Sequence, residues 1–263
     1  MVTQKKYPIS AIITGYNEGY ILEDCLKSIS FCEDITYVDL GSSDNSLEIA
    51  GKYSNTIIEH ERVPMVEIIH QKMYKKTKYD WILIIDPDER ISNELYKDLE
   101  LMLQEGIANN IGAVLGPCIY YYKKHALKGT RWGGIHSRMI LFHKDRCLMT
   151  DVAHAGRTVL DPYIPYFIPY TGKNVDHHFW MLSFNQLVEK HKRYLKMEGS
   201  SRNFMGFVAG RKDIVKRPFR AFYSCYIKSK GYKDGIYGLL LSFFWAWYDT
   251  AAEIELYKYQ HKK

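Results

Sequence analysis

The chain has 263 residues, 46% of them hydrophobic and 25% charged, which excludes a fibrous or largely disordered protein and allows a sizeable core. Its formal net charge of +6 favours an anionic partner, such as a nucleotide, a lipid surface or a nucleic acid. The five cysteines are odd in number and form no C-x-x-C pair, which predicts reduced thiols in a cytoplasmic protein without a zinc knuckle.

The first half of the chain alternates apolar runs with segments of helical periodicity. Strands are predicted at residues 9–16, 35–40, 55–61 and 79–86. Helices are predicted at residues 20–29, 43–53, 65–78 and 92–106. Ser43 or Asp44 is the expected N-cap of the second helix. This alternation predicts βαβ units and a parallel sheet with helices on both faces.

The second half of the chain has a less regular pattern. Two further strands are predicted at residues 111–122 and 137–144, with no helix between them. Three prolines among aromatic residues predict a loop at 160–172. A long amphipathic helix is expected at 181–198, and about the last 50 residues are predicted to be helical.

The two ends of the chain carry little that predicts targeting. The first ten residues are polar and lead into a strand, so no signal peptide is expected. The apolar run at 237–248 is shorter than the roughly 20 residues that a membrane-spanning helix needs. It could lie in a membrane interface or pack on the core, and both alternatives stay open.

Polar side chains follow three of the predicted parallel strands. They are Thr14, Tyr16, Asn17 and Glu18 after the first, Asp39 and Ser42 after the second, and Asp86 and Asp88 after the fourth. In an open parallel sheet, ligands bind beyond the carboxyl ends of the strands. We therefore expect these side chains to share one edge of the sheet and to form the binding site.

The D-x-D pair Asp86 and Asp88 has the chemistry of a divalent-cation site. Mg²⁺ and Mn²⁺ take hard oxygen ligands and keep waters and phosphate oxygens in their coordination shell. Such a metal would bridge a diphosphate and neutralise its charge as it departs. Asp39 is placed to accept hydrogen bonds from a ribose or a base. A nucleotidyltransferase also uses paired acids, but residues 14–20 lack the Lys or Arg of its phosphate loop.

Residues 12–29, 35–50 and 79–91 together resemble the family 2 glycosyltransferases of the GT-A fold, and in particular the bacterial lipopolysaccharide-core β-glucosyltransferase subgroup. A weaker resemblance covers residues 137–144, 177–194 and 216–238. The implied architecture is α/β: a Rossmann-like, mostly parallel central sheet flanked by helices, with a helical C-terminal extension. We expect residues 1–180 to form the nucleotide-sugar-binding and catalytic domain, and 181–263 the basic, aromatic-rich extension.

By position, the resemblance implies a nucleoside-diphosphate sugar donor, with UDP as the expected carrier. The implied nucleotide-sugar-binding residues are Thr14, Tyr16, Asn17, Glu18, Asp39, Ser42, Asp86 and Arg138. The implied ligands of a Mn²⁺ or Mg²⁺ cofactor are Asp86, Asp88 and His178, with His177 as the adjacent alternative to His178.

One departure from the family pattern concerns the catalytic base. The family often has a His-Glu pair after the Arg-Leu-Phe strand, and here Ala155 follows His154. An inverting transfer needs a base that takes the proton of the acceptor hydroxyl. Asp151 and His154 are the expected catalytic residues, and Glu89 is a third candidate.

These features predict an inverting, metal-dependent transferase that moves a hexose to an acceptor hydroxyl. The expected acceptor is a glycan or a lipid-linked glycan, as in lipopolysaccharide biosynthesis, and the protein could contact the inner face of a membrane peripherally. A modified nucleic-acid base is the second choice of acceptor, because the C-terminal half is basic and aromatic. Ala155 also allows a non-catalytic nucleotide-sugar-binding module.

Overall fold

The computed structural model describes residues 5–63, 65–149 and 156–262. The chain divides into two compact units. The first unit consists of Met1–Cys118 and His136–His178, and the second of Ile119–Ile135 and Phe179–Lys263. Whether residues 1–180 and 181–263 behave as separate domains stays a prediction.

The described residues form twelve strands, ten of them in one sheet. The strands are β1 (Tyr7–Gly15), β2 (Cys32–Asp39), β3 (Thr56–Glu59), β4 (Trp81–Ile84), β5 (Glu89–Ile91), β6 (Ile111–Tyr122), β7 (His125–Ala126), β8 (His136–His143), β9 (Cys147–Met149), β10 (Arg157–Val159), β11 (Ile164–Phe167) and β12 (Asp176–Met181). The main sheet has the order β3-β2-β1-β4-β8-β6-β12-β5, with β7 and β11 also pairing with β6. Strands β9 and β10 form a separate antiparallel pair.

The helices are α1 (Gly19–Ser28), α2 (Ser46–Tyr53), α3 (Glu67–Met73), α4 (Asn93–Glu105), α5 (Phe184–Phe204), α6 (Arg211–Tyr223) and α7 (Gly235–Gln260). Short 3₁₀ turns follow α3 at Tyr74–Lys76 and precede α7 at Gly231–Asp234, and a π-helical turn follows α6 at Ser224–Lys228. No helix in the described ranges is long and apolar enough to cross a membrane.

The central strands are apolar on both faces because both faces of the sheet are covered. Alternate residues of a strand point to opposite faces. In β1, Ile9 and Ile13 therefore join one buried cluster with α1 and α4, whereas Ile12 joins a second cluster on the other face. β1 pairs in parallel with both β2 and β4. The structure thus has the predicted GT-A architecture with flanking helices, but the central sheet is mixed and not mostly parallel, because β8 pairs antiparallel with β4 and β6, and β12 with β5.

Three expectations about individual elements were wrong. Helix α2 begins at Ser46 with Asn45 as its N-cap, because Asp44 instead accepts hydrogen bonds from Gly19 and Ser46. The proline-rich segment was expected to be a loop, but it contains β11, which pairs in parallel with β6. All four residues of β11 are exposed to solvent. Pro165 is tolerated there because an edge strand need not donate from every N–H. Strand β12, before α5, was not expected at all.

The second unit has its own apolar cluster and its own ionic cluster. Helices α5 and α7 share the apolar cluster, whose buried members include Leu187, Leu241 and Phe244. The five cysteines, which lie in both units, are free and buried.

The ionic cluster joins α5, α6 and α7 through three carboxylates that are almost fully buried. Arg202 contacts Glu198 at 2.8 Å, Asp249 at 3.1 Å and Glu253 at 3.5 Å. Arg217 contacts Asp249 at 2.7 Å and Glu253 at 3.3 Å. The three carboxylates thus depend on two guanidinium groups, and removal of one would leave buried negative charge without compensation.

We predict that Arg202→Met lowers the free energy of unfolding by about 3–5 kcal/mol, the usual cost of breaking a buried ion pair by removing one partner. Urea denaturation of the full chain measures it. Lys192→Met, on the same helix, is the matched control, because Lys192 and Glu189 form a mostly exposed pair. Equal stability of the two variants would contradict a structural role of the ionic cluster.

Candidate functional site

The ends of β1 and β2 lie side by side at one edge of the sheet. Their parallel register pairs Thr14 with Val38 and Gly15 with Asp39. Gly15 has no side chain at a crowded point, since a Cβ there would lie 2.5 Å from the hydroxyl of Tyr37. The polar residues that follow the two strands are thereby brought together, as the sequence pattern predicts.

Reciprocal hydrogen bonds join the loops that follow β1 and β2. The backbone N–H of Asn17 donates to Ser42 Oγ at 2.9 Å, and the backbone N–H of Ser43 donates to Asn17 Oδ1 at 2.7 Å. Asn17 has a φ of +53°, a left-handed conformation that asparagine tolerates better than most residues. The backbone N–H of Glu18 donates to Ser46 Oγ at 3.1 Å. Asn17 and Ser42 therefore fix the shape of this edge.

Asp39 is a buried carboxylate with one oxygen engaged by the protein. Its Oδ2 accepts from the backbone N–H groups of Gly41 at 3.0 Å and Ser42 at 2.8 Å. Its Oδ1 is also buried, and it has no hydrogen-bond partner among the described residues. A buried acceptor without a partner is costly, so this oxygen is suited to a donor from a ligand.

Thr14 and Tyr16 are held by residues around helix α3. Thr14 Oγ1 lies 3.2 Å from Nε2 of His70. Burial lowers the pKa of His70 to about 4, so this imidazole is neutral near pH 7. The ring of Tyr16 packs on the small cluster that includes Val38. The guanidinium of Arg62 lies 3.4 Å from the centre of that ring, within the range of a cation–π contact.

The turn after β4 is closed by Glu89. The backbone N–H of Asp86 donates to Glu89 Oε2 at 2.8 Å, and the backbone N–H of Glu89 donates to the carbonyl of Asp86 at 3.0 Å. Arg90 Nη1 donates to the carbonyl of Pro87 at 2.7 Å. Asp86 and Asp88 remain half-buried, whereas Glu89 is fully buried. The last of the three acids in this short segment is therefore a structural carboxylate.

Strand β12 brings His178 to this turn. Its antiparallel register with β5 pairs His178 with Glu89 and Asp176 with Ile91. His178 Nδ1 lies 3.2 Å from Glu89 Oε1, and its Nε2 lies 3.5 Å from Asp88 Oδ2. The sheet thus places an imidazole beside the second acid of the D-x-D motif, and the role of His178 as a metal ligand stays a prediction.

Arg138 neutralises two buried carboxylates behind the turn. It forms an ion pair with Glu89 and lies 3.1 Å from Asp176 Oδ2. Burial raises the pKa of Asp176, even though the guanidinium of Arg138 lowers it. Arg138 also lies 3.4 Å from the carbonyl of Ile84, at the end of β4. Its described contacts therefore hold the D-x-D turn, and its predicted contact with a nucleotide sugar stays a prediction.

The side chains at this turn fit a cation that takes most of its ligands from water and phosphate and only a few from the protein. Among the described residues, no three His, Cys, Asp or Glu side chains form a ligand cluster. Asp88 and His178 are neighbours, and Asp86 lies two residues before Asp88 in the same turn. Mg²⁺ commonly binds through one or two protein carboxylates, with waters and phosphate oxygens completing its shell. This edge of the sheet suits a metal that arrives with a diphosphate.

Two residues of this region, Arg157 and His70, were not predicted from the sequence. Arg157 has a buried Nη1 atom without a hydrogen-bond partner among the described residues, and burial lowers its pKa to about 10. Arg157 and His70 both interact electrostatically with Asp86. Neither belongs to a motif, so no local pattern indicated them. Asp151 and His154, the expected catalytic residues, lie outside the described residues.

A family profile matches the part of the chain that includes the ends of β1, β2 and β4. The profile of "Glycosyl transferase family 2" matches residues 10–159. An uncharacterized glycosyltransferase of Rickettsia bellii is 33% identical over 95 residues, which are 35% of this chain and 31% of that protein. The lipopolysaccharide core biosynthesis glycosyltransferase LpsC of Rhizobium meliloti is 30% identical over 102 residues, 37% of this chain and 38% of that protein. The matches span about a third of the length of these relatives.

Matches among solved structures include two proteins of low sequence identity. S. aureus TarS is 14% identical with a TM-score of 0.47, covering 87% of this chain and 45% of that chain. Glucosyl-3-phosphoglycerate synthase from Mycobacterium tuberculosis, in complex with Mn²⁺, UDP and glucosyl-3-phosphoglycerate, is 19% identical with a TM-score of 0.35, covering 44% of each chain.

Proposed function

We propose, from the premise that this chain belongs to glycosyl transferase family 2 and is a glycosyltransferase, that it transfers a hexose from UDP to an acceptor hydroxyl with inversion. The observation that carries the donor assignment is Asp39. Its buried Oδ1 has no partner among the described residues, at the edge where the loops after β1 and β2 meet. A pyrimidine base that offers an N–H would supply the missing hydrogen bond.

The nucleoside would lie against the edge formed by Thr14, Tyr16 and Asp39. Tyr16 offers an aromatic face, which Arg62 covers in this structure. A base that stacks on Tyr16 would displace the guanidinium, which could then contact the diphosphate. Asn17, Glu18 and Ser42 hold the two loops in place, so their contribution to binding would be largely the shape of this edge.

The diphosphate would lie at the D-x-D turn. Asp86, Asp88 and His178 are the proposed holders of a Mn²⁺ or Mg²⁺ ion, and its chemistry when bound is to offset the negative charge of the leaving diphosphate. Arg157, with its buried guanidinium nitrogen, is a second candidate to offset the negative charge of the leaving diphosphate. Glu89 and Arg138 keep the turn in the shape that presents the two aspartates.

The transfer itself would be a single displacement. The acceptor oxygen forms a bond to the anomeric carbon as the bond from that carbon to the diphosphate oxygen breaks, and a base takes the hydroxyl proton. Glu89 is a poor base, because its carboxylate is buried and already engaged by Arg138, His178 and the N–H of Asp86. Asp151 and His154 remain the proposed catalytic residues.

The proposed acceptor is a glycan or a lipid-linked glycan. The similarity to LpsC, named for lipopolysaccharide core biosynthesis, supports a glycan acceptor. A cytoplasmic protein at the inner face of a membrane would meet such an acceptor as it is built. The rival acceptor, a modified nucleic-acid base, would be favoured by acceptor binding that weakens steeply with salt.

Asp39→Asn tests the base assignment. The loop N–H groups should retain the amide oxygen, so the amide nitrogen would replace Oδ1 and present a donor to the base N–H. We expect UDP to bind about 10- to 100-fold more weakly, with unchanged thermal stability of the free protein. Isothermal titration measures the affinity. Asp34→Asn, at the opposite end of β2, is the matched control. Equal affinity of both variants would remove Asp39 from the donor site.

A donor screen tests the carrier and the metal together. Purified protein is incubated with Mn²⁺ or Mg²⁺ and each common UDP-, GDP- and dTDP-sugar, while released nucleoside diphosphate and thermal shift are recorded. We expect a metal-dependent response to one UDP-hexose, and its loss in Asp88→Ala. Asp80→Ala, before β4, should respond like the unaltered protein. A response that Asp88→Ala retains would remove the metal assignment, and donor binding without turnover would favour the binding-module alternative.

Asp151→Asn tests the catalytic base. We expect it to bind donor normally and to lose transfer by about 10²- to 10⁴-fold, the usual contribution of a general base. Release of UDP with and without saccharide acceptors provides the measurement. His154→Gln is measured alongside. Full activity of Asp151→Asn, with loss in His154→Gln, would assign the role to the histidine.

A further inference from the structure

Helix α6 exposes a row of apolar side chains at helical spacing. Val215, Phe219 and Tyr223 follow one another at four-residue intervals, and Ile227 continues the row in the π-helical turn. Val215 is 71% exposed and Phe219 is 77% exposed. Residues four apart lie on one side of a helix, so these side chains form a continuous ridge. This ridge and the exposed α7 residues Ile236, Phe243 and Trp247 together are called the α6–α7 apolar face.

Helix α7 extends this face. Its exposed residues Ile236, Phe243 and Trp247 are spaced by seven and four residues, which places them on one side of the helix. The rings of Phe243 and Phe222 lie 4.7 Å apart, so the two helices meet through aromatic contact. Phe243 is nevertheless 61% exposed. Contiguous exposed apolar surface of this kind marks an interaction site in a soluble protein.

Basic residues flank the same face. A second row on α6 consists of the exposed residues Lys212, Lys216 and Arg220, which are also four residues apart. Lys216 directly follows Val215 in the sequence, and Arg220 directly follows Phe219. Between residues 211 and 233 there are eight Lys or Arg residues and a single acid, Asp213. Asp213 lies 3.4 Å from Arg220 and offsets part of its charge. Arg217 is the exception in orientation, since it turns inward to the ionic cluster.

An apolar ridge beside a row of long basic side chains has the chemistry of a helix that lies in a lipid interface. The apolar side enters the boundary between headgroups and acyl chains, while lysine and arginine side chains extend to the headgroups. Anionic lipids attract such basic residues, and the attraction is screened by salt. A protein partner would need a matching acidic surface, whereas an anionic bilayer supplies both the charge and the apolar layer.

We propose that the α6–α7 apolar face binds anionic membrane surfaces, with α6 lying in the plane of the interface. This gives the peripheral contact a specific location in the second unit. It does not depend on the sugar, the metal or the catalytic base, because none of its residues belongs to the site at the ends of β1, β2 and β4.

Sedimentation of the full chain with vesicles tests this proposal. The vesicles consist of phosphatidylcholine alone or of phosphatidylcholine mixed with phosphatidylglycerol. We expect binding to the mixed vesicles, weaker binding at high salt, and little binding to phosphatidylcholine alone. The double variant with Phe219→Ser and Phe243→Ser should bind about tenfold more weakly, and so should Lys212→Gln with Lys216→Gln.

Matched controls separate a local effect from a general one. Leu101→Ser replaces a leucine that is 58% exposed on α4, and Lys192→Gln removes an exposed charge from α5; both should bind vesicles like the unaltered protein. Thermal melting and UDP binding of the two double variants should be unchanged, which distinguishes loss of membrane binding from unfolding and from failure of the donor site.

Three outcomes would overturn the proposal. One is the absence of binding of the unaltered protein to mixed vesicles at low salt. A second is vesicle binding that neither double variant weakens. In the third, the protein fails to bind vesicles but associates with single-stranded nucleic acid, or with other copies of the chain in sedimentation velocity. The Phe219→Ser and Phe243→Ser double variant abolishes that association. That result would assign the face to another occupant.

Discussion

The guanidinium of Arg138 neutralises two carboxylates that the fold has removed from water, and the geometry of the D-x-D turn depends on this interaction. Glu89 and Asp176 are almost fully buried, and both contact Arg138. Removal of one partner from such a group leaves an uncompensated buried charge, which usually costs about 3–5 kcal/mol. Because the three residues belong to β5, β8 and β12, their pairing also aligns three strands that are distant in the sequence.

This alignment explains why the acids after β4 differ in role. Glu89 uses its carboxylate to bond the N–H of Asp86 and to pair with Arg138, so it shapes the turn from inside. Asp86 and Asp88 are left half-buried at the sheet edge, with His178 beside Asp88. Preorganised charged groups of this kind would need little rearrangement to bind the proposed diphosphate and metal. The contacts of Glu89 and Arg138 therefore both fix the turn and position Asp86 and Asp88 at the sheet edge.

Periodicity and turn chemistry in the sequence were enough to predict the parallel core and its polar strand ends. The apolar runs of β1, β2 and β4 are local, and so are the residues that follow them. The pairing of β12 with β5 is not local, since His178 and Glu89 are far apart in the chain and their register depends on tertiary contacts. The structural role of Glu89 could not be predicted for the same reason. Asn45 is the N-cap in place of the expected Asp44, because the carboxylate of Asp44 accepts a hydrogen bond from the backbone N–H of Gly19 at the start of α1.

The second unit shows that exposed apolar residues and a well-formed interior occur on the same helix. Leu241, Phe244 and Tyr248 on α7 are buried in the apolar cluster, while Phe243 and Trp247 on the same helix are exposed. One side of residues 237–248 therefore packs on a core, as one alternative predicted, and the contact of the exposed side with a membrane interface stays a prediction. A helix that needed only to complete a core would gain nothing from exposed aromatic rings, because their exposure to water is unfavourable. The ionic cluster uses Glu198, Arg202, Arg217, Asp249 and Glu253, and none of these residues belongs to the α6–α7 apolar face.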